Sequence, residues 1–147
     1  MFDVAPSGEP AVWAPFGPRL AAARVTLLSS AGLHVEGEQK AFDLERERVE
    51  PTWGDPSFRV IPRAHGGLAM SHLHVNNADI LTDNEVALPV RALDSLVADG
   101  IVGASSDQHI SVMGYQGDLR GWRDTTVPAI VEVLRAQGTD GVVLAPV

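Results

Sequence analysis

The last third of the chain constrains the fold most. His109 to Met113 is a short apolar run, and Gly141 to Ala145 is an unbroken one. Between them Val127, Ile130, Val131 and Leu134 recur on one helical face that stops at Gly138. A strand, a helix and a strand in that order place the two strands parallel, because the chain must cross the sheet to re-enter it in the same direction. Strands covered on both faces read as continuous apolar runs rather than alternating ones. The pattern predicts an α/β fold, an open, mainly parallel sheet with flanking helices. Asp124 is the expected N-cap of the crossover helix.

The rest of the chain supplies elements for the same sheet. Val25 to Ser29 reads as a buried strand running into a turn at Ser30-Ala31-Gly32. Phe58 to Ile61, closed by Pro62, is a second strand, and Ser71 to Val75, with alternating polarity, a third. Val90, Leu93, Leu96 and Val97 mark a helix with Pro89 in its first turn and Gly100 past its end. Residues 36 to 54 are charged or turn-forming and read as a surface excursion. Residues 1–23 read as a Pro-rich arm, since Pro6, Pro10, Pro15 and Pro18 fix φ and remove backbone donors, excluding helix and central strand. Trp13 and Phe16 are its expected anchors. The domain proper is expected over 24–147.

Composition removes several functions. Eleven basic against nineteen acidic side chains leave a net charge of −8, which argues against a nucleic-acid groove or an anionic membrane surface. No run approaches the ~18 apolar residues of a membrane span. The N-terminus lacks the order of a secretory signal, so the cytoplasm is the expected location. With no cysteine, disulfides, thiolate metal sites and a cysteine nucleophile are excluded together.

Ligands of open parallel sheets bind beyond the carboxyl ends of the strands. The chain stops at Pro146-Val147, directly after the last predicted strand, where that loop and a covering helix would begin. The expectation is a domain incomplete at its C-terminus, with an apolar strip left uncovered.

Several side chains are candidates for chemistry. His72 and His74 are two apart on a predicted strand and would share a face; with Asp79 and His109 they could ligate zinc or iron. A bare His-x-His is common, and structural or substrate-facing histidines are the preferred reading, with no metal expected. The amides around Ser30 and Gly32 could cradle a substrate carboxylate. Gly114-Tyr-Gln-Gly117-Asp118 lacks phosphate-loop spacing, and its acid would repel phosphate, so close backbone packing is the better reading. Arg59 could fork onto a carboxylate, unless Asp55 and Arg59 simply pair with each other.

Taken in order, Val12-Trp-Ala-Pro15, Ser30-Ala-Gly-Leu-His34, Gly54-Asp-Pro-Ser-Phe-Arg-Val-Ile-Pro62, Ser71-His72, Asn77-Ala-Asp79, His109 with Met113-Gly114, Gly117-Asp118 and Asp140-Gly-Val-Val-Leu144 resemble the selenoprotein B family of glycine, sarcosine, betaine and D-proline reductases. The D-proline branch is nearest in pattern. The resemblance implies that the strand like Gly141–Ala145 runs into a loop bearing selenocysteine or cysteine. Selenocysteine is then expected just after Val147, at a UGA read as a stop. It further implies a selenol or thiol that attacks the carbon bearing a substrate amine, departure of the amine, and reductive resolution. A pyruvoyl group on a separate partner subunit would activate the amine.

On this resemblance His34, His72 and His109 are expected to line the pocket or move protons, with Ser30, Gly32, Asp55, Arg59 and Asp79 holding a small amino-acid-like substrate. A homo-oligomer is expected. The chain as given, without Cys or Sec, is expected not to turn over. His74, with Leu73 and Val75, departs from the glycine-rich stretch of the D-proline enzymes, which puts D-proline as substrate in question. Two rivals remain: a non-catalytic α/β module binding a small acid or a partner, and a racemase-like or metal-assisted enzyme built on the histidines.

Overall fold

β1 (Arg24–Ser29) is the spine of the sheet, because its alternate side chains feed both cores. A computed structural model describes residues 14–147; the prolines at 6 and 10, the anchor Trp13, and Val12-Trp13 of the resemblance lie outside the described residues. One edge of β1 pairs in parallel with β7 (Gly141–Ala145) from Val25↔Gly141 to Ser29↔Ala145. The other edge is shared between β5 (Ala104–Ser105), which takes Arg24 and Val25, and β6 (Gln108–Val112), which takes Leu28 and Ser29. β3 (Phe58–Pro62) runs antiparallel along β6. The sheet is thus open and mostly parallel, as its sequence pattern predicts.

The period-2 alternation of the strands divides the interior. Ile110 and Val112 of β6, with Phe58 and Val60 of β3, pack beneath Ile130, Val133 and Leu134 of the crossover helix α5 (Val127–Ala136). Val25 and Leu27 of β1 and Ile61 of β3 face the other way, onto Val90 and Leu93 of α3 (Val90–Ala98). A small antiparallel pair, β2 (Leu33–Val35) and β4 (Leu68–Met70), covers the same core through Leu33, Val35 and Leu68. Leu96 falls off that stripe and is exposed.

Three local expectations are corrected. The cap of the crossover helix lies six residues before Asp124. Asp118, in an extended conformation, accepts the Arg120 N–H at 3.0 Å and opens a short α4 (Leu119–Gly121), which continues through a π-helical turn, Trp122–Thr126. Pro128 has no N–H to give to the turn before it, and the Val127 N–H reaches back five residues to Trp122 instead. Asp124 therefore lies inside the helix.

Ser71–Val75 is not a strand. β4 ends at Met70, the Ser71 N–H closes on the Gly32 carbonyl at 2.9 Å, and the chain then bends, with the His74 N–H donating to His72 Nδ1 at 3.3 Å. His72 and His74 therefore do not share a strand face; their rings stand 6.3 Å apart and nearly perpendicular. Among the described residues of the arm a 3₁₀ turn forms at Leu20–Ala22, just past Pro18.

The outer edge of β7 carries no partner strand among the described residues. Val142, Val143 and Leu144 are 38%, 50% and 67% exposed, the uncovered apolar strip expected from the sequence. Phe16 packs on Gly141 at the start of that strand. No described helix is long and apolar enough to cross a membrane.

Candidate functional site

β1, β6 and β7 are parallel, so their carboxyl ends meet at one side of the sheet, and a cleft of about 320 Å³ opens there. Its floor is Leu28, Val112 and Leu144, one side chain from each strand. Leu119 and Trp122 form a wall from the start of the crossover helix. Ser30 and Pro146 stand at the rim, and the buried Met113 closes the lining beneath. No charged side chain lines it. Such a lining accepts the uncharged, aliphatic part of a ligand and leaves a carboxylate unmet. The Trp122 indole N–H is buried without a partner, and Trp122 opens the π-helical turn, a distortion frequent at functional sites.

The loop after β1 is built for backbone packing. The Ser30 N–H donates to Ala145 O (3.2 Å), Ala31 N–H to Ser29 Oγ (3.2 Å), Gly32 N–H to Val112 O (2.9 Å) and Leu33 N–H to Ser111 Oγ (2.7 Å). Every amide of the turn is spent inside the fold, so none is left for a carboxylate. Gly32 has φ +66°, and a Cβ there would lie 2.2 Å from the Ser71 carbonyl oxygen. The glycine loop after β6 behaves similarly: a Cβ on Gly117 would sit 1.7 Å from Thr52 O, the close packing read from its sequence.

Asp55 and Arg59 lie elsewhere, in a polar hollow between α1 (Leu44–Val49) and β3 that also contains Lys40 and Trp53. They are joined through Ser57. Its hydroxyl donates to Asp55 Oδ1 (2.5 Å) and accepts from Arg59 Nη1 (2.9 Å). Burial pushes the Asp55 carboxyl up, but the Ser57 hydroxyl and the Asp43 and Ser57 amides outweigh it and hold the group below the usual carboxylate range. Arg59 also donates to Lys40 O (2.6 Å), Phe58 O (3.0 Å) and Ala41 O (3.1 Å), and its guanidinium lies 4.1 Å over the Phe42 ring. A guanidinium committed to four acceptors has no fork to offer a substrate. Arg59→Lys should cost about 1–2 kcal/mol in urea unfolding, since a single ammonium cannot replace those bonds, and leave ligand binding at the cleft unchanged. An unaltered midpoint with weakened binding would restore the substrate role.

The histidines are dispersed. His109 is fully buried toward the amino end of β6, and its Nδ1 accepts the Leu27 N–H at 3.1 Å. The proton therefore sits on Nε2, which has no partner. Burial above all pulls its pKa down to about 4; Asp94 opposes this, and Arg63 and His65 add to it. His34 is buried on β2, its Nδ1 unpartnered. His72 is half-buried and has its pKa lowered, chiefly by burial and partly by His74, against the pull of Glu47. His74 Nε2 lies 3.5 Å from the buried carboxylate of Glu47, whose Oε1 has no hydrogen bond. Asp79 is exposed in the first turn of α2 (Ala78–Thr82). Among the described residues no three His, Asp or Glu side chains converge to hold a metal. Of the eight residues expected in the site, Ser30 alone lines the cleft. Trp122, Leu119 and Gln116 line it unforeseen; the signal was the loop after β6, which leaves the carboxyl edge of the sheet.

D-proline reductase subunit gamma from Acetoanaerobium sticklandii is 31% identical to this chain over 141 residues, 95% of the chain. The similarity to this reductase subunit runs along almost the whole of the chain. It spans about half the length, 54%, of the curated relative it matches. No family model matches it, and no solved structure matches it. The matched region of this reductase relative takes in nearly all the chain, so its 141 residues include most of the cleft-bearing βαβ unit.

Proposed function

We propose that this chain is the N-terminal part of a selenol- or thiol-dependent reductase subunit that cleaves a C–N bond in a small amino acid or amine-bearing carboxylate. The observation that carries the reading is the 31% identity, over 95% of the chain, to a protein named as one subunit of D-proline reductase. The cleft agrees with it. Pro146 lies on the rim and Val147 beside Ser30, so a nucleophile on the residue after Val147 would stand at the mouth of an open, apolar cleft. That selenocysteine or cysteine supplies the attacking group when present. Leu28, Val112, Leu144 and Trp122 would hold the aliphatic body of the substrate against it. Because the lining has no cation, the carboxylate would be met from outside it, by the remainder of the subunit or by the partner subunit, which the reading expects to carry the pyruvoyl group that activates the amine.

The test is twofold. The codon after Val147 is read, and the full-length protein is assayed with a dithiol against small amino acids and amine-bearing carboxylates, with its partner subunit present. A UGA or Cys codon and dithiol-dependent release of the amine are the expected results. A full-length protein without an alkylatable selenol or thiol would end the reductase reading.

A further inference from the structure

We infer that Ser30 is a positioning residue, which aims the segment leaving β7 at the cleft; this rests on the reading that the nucleophile follows Val147. Ser30 holds that segment at two points. Its N–H donates to Ala145 O at 3.2 Å, extending the β1–β7 ladder by one bond. Its hydroxyl then accepts the Val147 N–H at 2.9 Å and lies 3.4 Å from the Val147 carbonyl oxygen, within reach to donate back. Pro146, between the two anchored residues, has no N–H, and its φ is confined by the ring. The path of the backbone from Ala145 to Val147 is therefore set by one side chain and one proline.

Ser30 is itself held from behind. Gly114, at the carboxyl end of β6, approaches so closely that a Cβ there would lie 3.2 Å from Ser30 O and 3.3 Å from both Ser30 Cβ and Oγ. The hydroxyl is thus pinned between β6 and the exit of β7, the two strands that bound the cleft. A residue after Val147 inherits its direction from this clamp. An apolar side chain at position 30 would keep the strand pairing and lose the aim, because the ladder bond uses the backbone and the clamp uses the hydroxyl.

The test compares Ser30→Ala and Ser30→Thr in the full-length protein by kcat, KM, thermal midpoint and the rate of alkylation of the nucleophile. A displacement of a reacting atom by about 1 Å costs roughly 100-fold, so Ser30→Ala is expected to lower kcat by about 10- to 100-fold, with KM within about twofold. Ser30→Thr, which keeps the hydroxyl, should retain most of kcat. An unchanged kcat in Ser30→Ala, beside an active wild type, would refute the clamp and leave the reductase reading intact. Equal losses in both variants, tracking a lowered thermal midpoint, would make Ser30 merely structural and also refute it. A wild type with no nucleophile to alkylate would remove both.

Discussion

Gly32→Ala is expected to cost the protein about 4 kcal/mol of stability and to lower its urea midpoint sharply. Two costs combine at this position. The backbone sits at φ +66°, where an L side chain loses about 1–2 kcal/mol to clash with its own carbonyl. The new Cβ would also lie 2.2 Å from the Ser71 carbonyl oxygen and 2.7 Å from Met113 Sδ. Met113 can swing aside; Ser71 cannot, because its N–H is bonded to Gly32 O and that pair joins β2 to β4. Moving Ser71 away breaks this bond and opens the core around Leu33 and Leu68, at a further cost of about 1–3 kcal/mol. The total, about 4 kcal/mol, is much of the stability of a domain this size. Urea unfolding followed by circular dichroism would show it, and a midpoint within experimental error of the wild type would disprove the account.

A second large effect concerns acid. His109 can accept the Leu27 N–H only while Nδ1 is unprotonated, and its folded pKa is about 4 against 6.5 for the free side chain. Between these values the unfolded chain binds a proton that the folded chain refuses. The contribution is fully present above pH 6.5, falls as pH drops from 6.5 towards 4, and levels off below that. It amounts to about 3 kcal/mol. Asp55 acts in a lower window: its folded pKa lies below 3.8, so its stabilisation is lost only as pH falls beneath that value. His109→Asn places a non-titrating acceptor near the same amide. Stability measured between pH 7 and 4.5 should fall in both proteins and less steeply in the variant, which keeps only the smaller pull of groups such as His72. Parallel curves for the two proteins would rule out His109 as the source.

The same residue shows why a histidine's role is hard to read from sequence. β5 and β6 are interrupted between Ser105 and Gln108, which leaves a gap in the ladder opposite Leu27, and the imidazole fills it. Nothing in the residues around His109 announces that gap. It arises from how two short pairings share one edge of β1. Asp55 and Arg59, which look in sequence like a carboxylate clamp, are consumed by Ser57 and by the carbonyls of 40, 41 and 58. The carbonyls of 40 and 41 come from another part of the chain, and their direction is a tertiary fact.

What the sequence determined by itself is periodic and local. The 3.6 repeat of Val127 to Leu134, the apolar runs at 25–29, 109–113 and 141–145, and the glycines at 100 and 138 decide element types and ends, because hydrophobic spacing and φ preference act over a few residues. The α/β class follows from that order. Only the tertiary structure decided that β1 lies between β6 and β7, that their ends meet over Trp122 and Leu144, and that Ser30 faces Val147 across 117 positions of sequence. Strand order and loop contact are settled by non-local hydrogen bonds and by which faces must be buried together. No window of sequence contains both partners of such a contact.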